Sequence, residues 1–275
     1  MNQCIDHNMH DIISQLDFDP KNPFDLDTDI VPERFVQGFY STYLLSCYTG
    51  DYNATIVYPA ILNNLKTKQY EQYIGSFNQQ EREQLYQYFD KMIQDETEHT
   101  DQFLIMLNKI NPQDIDLNCL KQNAQWMIEN TNLIKLLARI YVAECYVWVS
   151  FFQIYKTSTS DDKKRIFKKL LVEESQHNNN ILKFLKKIKQ TTVALTKDEY
   201  INFVKEDRLM NLLYIQHECK IPDANSAAFK KVVQFVYNNA WHDKFNELLI
   251  KKTYQLSAVL FPEITFEEFK SAVNG

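Results

Sequence analysis

Asp95-Glu96-Thr97-Glu98-His99 and Glu173-Glu174-Ser175-Gln176-His177 are two versions of one pattern, an acidic residue followed by Glu-x-x-His. On a helix, positions i and i+3 lie one above the other on the same face, so each carboxylate and its imidazole can reach one point in space. Either stretch alone is a weak signal. Their repetition directs attention to what stands before each of them.

Between Asn130 and Ser160 the only acidic residue is Glu144, set in the apolar run Ile140-Tyr141-Val142-Ala143-Glu144-Cys145-Tyr146-Val147-Trp148. A lone carboxylate inside a buried helix is costly and demands a partner. Between Arg34 and Tyr70 the only acidic residue is Asp51, in Cys47-Tyr48-Thr49-Gly50-Asp51-Tyr52-Asn53-Ala54, under the same constraint. The order along the chain is therefore carboxylate, Glu-x-x-His, carboxylate, Glu-x-x-His. Glu144 lies 13 residues before Thr157 and Glu174 lies 13 after Asp161, which puts both about 20 Å from the turn between their helices. Asp51 lies 15 residues before Lys66 and Glu96 lies 17 after Gln79, or about 23 and 26 Å from theirs. Four antiparallel helices can thus present Asp51, Glu96, His99, Glu144, Glu174 and His177 at one depth of a bundle core. That is the ligand set of a dinuclear iron or manganese carboxylate site, with Glu144 and Glu174 at the reacting centre.

The rest of the sequence agrees with an all-α domain. Among 275 residues only Gly38, Gly50, Gly75 and Gly275 are glycines, too few for a doubly wound sheet or a phosphate loop. The formal charge of -6 repels a nucleic-acid backbone. No apolar run approaches the roughly 18 to 20 residues that span a bilayer, so no membrane partner is expected. Met1–Ile13 lacks the basic start and apolar stretch of a secretory signal. The odd, scattered cysteines Cys4, Cys47, Cys119, Cys145 and Cys219 read as reduced thiols of a cytoplasmic protein.

Residues 1–31, with Pro20, Pro23 and aspartates from Asp17 to Asp29, read as an irregular arm. One helical domain is expected over 32–275: a four-helix bundle over about 35–190 and additional helices over about 197–273. Phe35 to Leu65 should be a helix kinked near Gly50 and Pro59. Asn78 with Glu81 forms a capping box for a helix running to Ile110, where Asn111-Pro112 stops it. Trp126 to Tyr155 and Asp161 to Ile188 should form the second hairpin. Thr196 with Glu199 and Thr265 with Glu268 repeat the capping-box signature, and a helix is expected from Ala224 to Leu256.

Over residues 35 to 190 these motifs resemble the ferritin-like di-iron carboxylate superfamily. Within it, Leu171 to His177 and the Asp-Glu-x-x-His form of Asp95 to His99 look most like the p-aminobenzoate N-oxygenase family. That resemblance implies a ferritin-like bundle, two iron ions with manganese or a mixed pair as the alternative, and O2 as co-substrate. It also implies a di-iron oxidoreductase, an oxygenase or oxidase that acts on a small organic molecule, N-oxygenation of an amine being one case. An external electron donor, a small substrate free or carrier-bound, and a homodimer are the expected partners. Two alternatives share the ligand set, a ferroxidase or iron-handling protein and an oxidase like the ribonucleotide reductase small subunit. The latter usually has its radical tyrosine where this chain has Phe103.

Further expectations concern the surroundings. Asp95 and Glu173 each precede a candidate ligand and should hold the outer ring nitrogens of His177 and His99 respectively, across the bundle. Leu170 stands where the N-oxygenases place an extra histidine, so the ligand set should number six unless His217 or His242 replaces it. Tyr48, Tyr52, Tyr141 and Trp148 are candidates to line a pocket. The basic residues Lys163, Lys164, Arg165, Lys168, Lys169, Lys183, Lys186, Lys187 and Lys189 read as a solvated face.

Overall fold

The structure, a computed structural model, describes residues 33–110, 117–158, 161–188, 194–209 and 240–275. The expected arm, His217 and the start of the helix expected at Ala224 lie outside them, as does the side chain of His242. Every regular element among the described residues is helical. They are α1 (Glu33–Lys66), the single turn α2 (Glu71–Ile74), α3 (Gln79–Ile110), α4 (Leu117–Asn130) and α5 (Leu133–Thr157). After these come α6 (Asp161–Lys187), α7 (Lys197–Leu209), α8 (Ala240–Leu260) and α9 (Phe266–Asn274).

α1 runs unbroken through Gly50 and Pro59. Proline removes one backbone donor but leaves the rest of the ladder intact. The turn into α3 is closed by Arg82, which grips Glu71 with both terminal nitrogens at 2.7 and 2.8 Å and donates to the carbonyls of Ile74 and Phe77. The capping box is present at the start of α3. Asn78 N–H donates to Glu81 Oε2 at 2.8 Å, and Glu81 N–H donates to Asn78 Oδ1 at 3.0 Å.

One helix expected from Trp126 to Tyr155 is instead two, because Asn132 starts a new one. Its Oδ1 accepts from Lys135 N–H at 3.0 Å, and its Nδ2 donates to the Ala194 carbonyl at 2.8 Å. A short polar side chain that satisfies a backbone donor competes with helix continuation. The preceding piece, α4, packs on α1. The expectation of a solvated basic face also needs correction: Lys163 is buried, and Lys169 pairs with Glu98 at 2.8 Å.

α1 packs along α3 and α5 along α6, and the two hairpins meet through α3 and α6. Ile61, Leu65, Phe89, Leu136 and Ile181 are among the fully buried side chains that fill the bundle. The C-terminal helices add a layer. Tyr141 on α5 donates to the Lys252 carbonyl on α8 at 3.0 Å, and Tyr200 on α7 donates to the Thr253 carbonyl at 2.7 Å. Both later capping boxes are present, at Thr196–Glu199 and Thr265–Glu268. No described helix is long and apolar enough to cross a membrane.

Replacing Asn78 by alanine removes the cap of α3 and should cost about 1 kcal/mol. A urea midpoint unchanged from the parent protein would show that this box does not hold the helix start.

Candidate metal centre

The four long helices each deliver side chains to the same level. Asp51 comes from α1, Glu96 and His99 from α3, Glu144 from α5, and Glu174 and His177 from α6, and all six are buried. Ligand atoms of Glu96, Glu144, Glu174 and His177 lie within 4.8 Å of one another, and so do those of Asp51, Glu96 and His99. Equal distances from the two turns bring this about, because α1 and α3, like α5 and α6, are antiparallel and rise by the same amount per residue.

The geometry divides the six into two ends and a middle. Glu96 Oε1 lies 3.2 Å from His177 Nδ1 and its Oε2 lies 3.9 Å from His99 Nδ1. Glu174 does the same in reverse, with Oε1 3.5 Å from His99 Nδ1 and Oε2 3.5 Å from His177 Nδ1. Glu96 and Glu174 therefore face both histidines. Glu144 Oε2 lies 3.4 Å from His177 Nδ1, which puts it at one end, while Asp51 groups with Glu96 and His99 at the other.

Both histidines turn Nδ1 inward and Nε2 outward. His177 Nε2 is 3.3 Å from Asp95 Oδ2, and His99 Nε2 is 3.2 Å from Glu173 Oε2. These are the crossed contacts expected from the sequence. A carboxylate that accepts the Nε2 proton leaves the Nδ1 lone pair aimed at the cluster and fixes the tautomer. Tyr88 adds a backbone tether, donating to the His177 carbonyl at 3.1 Å.

Crowding four carboxylates into a dry space disturbs their acidity. Burial, reinforced by the charges of Glu96 and Glu144, holds Asp51 well above the usual carboxylate range. Burial and Glu144 raise Glu174 well above it too, and raise Glu96. Glu144 is the member that keeps its charge. Burial opposes this, yet hydrogen bonding with Glu174 and the His177 charge push it below the usual range. His177 is pushed well above the usual imidazole range: burial works against the cation, but Glu144 and its carboxylate hydrogen bonds outweigh that, and a metal ion at Nδ1 would take the place of that proton. Without a counter-ion the cluster can stay buried only by retaining protons.

A metal pair would resolve this arrangement. Asp51 Oδ2, Glu96 Oε1, Glu174 Oε2 and His99 Nδ1 are buried and make no well-aligned hydrogen bond with any described residue, and unsatisfied buried groups of this kind are costly. All belong to the cluster, and carboxylate with imidazole is a donor set suited to iron or manganese. Leu170 is buried and offers no donor.

A cavity of about 80 Å³ adjoins the cluster between α1 and α5, walled by Cys47, Gly50, Ala54, Ala143 and Val147 and reaching Asp51, Glu96, Glu144 and Glu174. Tyr48, Tyr52, Tyr141 and Trp148 do not line it. Tyr48 packs on Tyr52 with ring centres 6.0 Å apart, Tyr141 points to α8, and Trp148 donates to Ser175 Oγ at 2.7 Å. Tyr58 and Tyr146 line it instead. Sequence reasoning missed Tyr58, whose hydroxyl donates to Glu144 Oε1 at 2.7 Å. The signal was there, since Tyr58 stands seven residues after Asp51 and so lies on the same helix face two turns along.

Comparison with known proteins agrees with this reading of the bundle. Residues 64–186 match the model of the rubrerythrin family. The matched segment holds Glu96, His99, Glu144, Glu174 and His177, while Asp51 precedes it. The match supports the ferritin-like di-iron superfamily and carries nothing specific to the p-aminobenzoate N-oxygenases. No curated protein and no solved structure matches the chain.

The protein should take up about two transition-metal ions per chain. Glu174→Ala, which removes a carboxylate facing both histidines, should lose most of that metal. Full metal content in this variant, measured by plasma mass spectrometry, would remove Glu174 from the ligand set.

Proposed function

We propose that the protein is an O2-dependent di-iron oxidoreductase whose substrate is a small molecule. The observation that carries this reading is the position of the cavity. It reaches all four carboxylates, whereas neither histidine lines it, so the side of the cluster accessible to a small reactant is the carboxylate side. Iron held by these six residues would supply the electrons that reduce O2, chemistry that no side chain of the cluster has by itself.

The remaining work falls to the protein. Asp95 and Glu173 hold the two imidazoles in one tautomer. Tyr58 keeps a proton 2.7 Å from Glu144 Oε1, and burial together with the Glu144 charge raises its phenol well above the usual tyrosine range. It therefore orients that carboxylate as a neutral donor. Apolar walls limit water at the cluster, which strengthens every charge interaction within it. Phe103, buried and stacked on Phe151 at 5.8 Å, places no phenol at the position expected of a radical tyrosine.

The size of the cavity favours a second reading. About 80 Å³ is well below the 300 to 1,000 Å³ typical of organic-ligand sites. It admits dioxygen and a hydrated cation more readily than an aromatic amine. Oxidation of ferrous iron as cargo fits that volume.

Anaerobic loading with ferrous iron, followed by O2 in an oxygen electrode and a stopped-flow spectrometer, distinguishes the two. Uptake that stops after one turnover and resumes only with an added reductant supports the oxidoreductase. Uptake that continues in proportion to added ferrous iron supports iron handling. Metal-loaded protein that consumes O2 no faster than the Glu174→Ala variant would sink both.

A further inference from the structure

The repeat extends beyond Glu-x-x-His. Lys91 and Lys169 stand four residues before Asp95 and Glu173, so both helices carry Lys-x-x-x-acid-Glu-x-x-His. One helical turn brings each ammonium beside the carboxylate that holds the opposite histidine.

The two copies match in sequence but differ in how their charges pair. Lys91 Nζ lies 2.5 Å from Asp95 Oδ1, and the other oxygen of Asp95 faces His177 Nε2 at 3.3 Å. Lys169 Nζ gives its short contact, 2.8 Å, to Glu98 Oε1 and stands 3.6 Å from Glu173 Oε1. Asp95 therefore shares its charge with an ammonium in direct contact, while Glu173 keeps more of its own for His99. A carboxylate that accepts the outer N–H of a ligating histidine makes that imidazole a stronger donor, and withdrawing its charge weakens the effect. Although Lys91 is 60% exposed, its partner Asp95 is buried, so water screens the direct contact less than a fully exposed pair.

A second observation points the same way. At the His177 end the terminal carboxylate, Glu144, accepts the Tyr58 hydroxyl at 2.7 Å, which offsets part of its charge. At the His99 end Asp51 Oδ2 accepts no hydrogen bond from any described residue, so a cation there would have no donor to compete with.

Resting on the dinuclear reading above, we propose that the two metal positions are unequal. The position between Asp51 and His99 fills first and holds its ion; the position between Glu144 and His177 fills second and exchanges. Lys91 is the positioning residue that sets this difference, acting through Asp95. An exchangeable position beside a retained one would let the same cluster take up and release a divalent cation without losing its frame.

The test is a titration of the full-length, metal-free protein with Co(II), followed by calorimetry and visible absorption. Two steps separated by about tenfold or more are expected, within the range of changes made by groups behind a metal ligand. Lys91→Met should tighten the weaker step by about tenfold and move the tighter step much less, and Lys91→Arg should keep the wild-type separation. Tyr58→Phe should tighten the weaker step independently. Glu144→Ala should retain one tightly bound ion, whereas Asp51→Ala should lose the tight step. Equal steps in the wild type would overturn the inference, as would a Lys91→Met variant that moves both steps by the same factor or neither. Wild-type protein that binds fewer than two ions would instead overturn the dinuclear reading itself.

Discussion

The fold is organised around a repulsion. Asp51, Glu96, Glu144 and Glu174 are all buried and converge on one point of the bundle, where carboxylates without a counter-ion must either protonate or pull protons from neighbours. Both tendencies are present, since burial raises Glu174 and Asp51 well above the usual carboxylate range and the neighbouring carboxylates raise His177 above the usual imidazole range. Everything near it answers the same demand. Tyr58 donates to Glu144, Asp95 and Glu173 face the outer nitrogens of the histidines, and Lys91 offsets Asp95 in direct contact while Lys169 stands farther from Glu173.

How much of this could be read from the chain depends on the range over which each residue acts. Glu144 and Asp51 were legible because a single acid in a long apolar run has no local way to pay its desolvation. The level of the six residues was legible because hairpin geometry converts residue counts into height. The division of the expected helix at Asn132 was not, since its decisive contacts are a cap three residues on and the Ala194 carbonyl 62 residues away. The place of Tyr58 on the Asp51 face was legible, but its bond to Glu144 was not, since that partner lies 86 residues away on another helix. Lys163 and Lys169 look like solvated charges in sequence, and only the neighbouring helices show that one is buried and the other engaged by Glu98.

The C-terminal helices lie outside the segment that matches the rubrerythrin family, yet they connect to the site through contacts of two kinds. Tyr141, three residues before Glu144, donates to the α8 backbone at Lys252. The Lys252 ammonium sits 3.7 Å over the ring of Trp148, and the Trp148 indole donates to Ser175, the residue after Glu174. Movement of α8 would therefore bear on α5 and α6 together, on either side of the cluster. This layer belongs to the frame of the site, which explains why buried aromatic residues continue through Tyr200 and Phe269 and do not stop at the end of α6.

The crossed contacts also explain why two similar motifs are better than one. His99 on α3 is held by Glu173 on α6, and His177 on α6 is held by Asp95 on α3. Each hairpin thus orients the imidazole of the other. A slip of one helix past its neighbour by a single residue, about 1.5 Å, would stretch both contacts at once and turn both Nδ1 atoms away from the shared carboxylates. Register is consequently set by polar geometry at the centre of the bundle together with the close packing of the apolar side chains around it. That same reciprocity would let a sequence repeat produce unequal ends: the two motifs match, and the difference between the ends resides in Glu98, which draws Lys169 away, and in Tyr58, which has no counterpart among the described residues donating to Asp51 Oδ2.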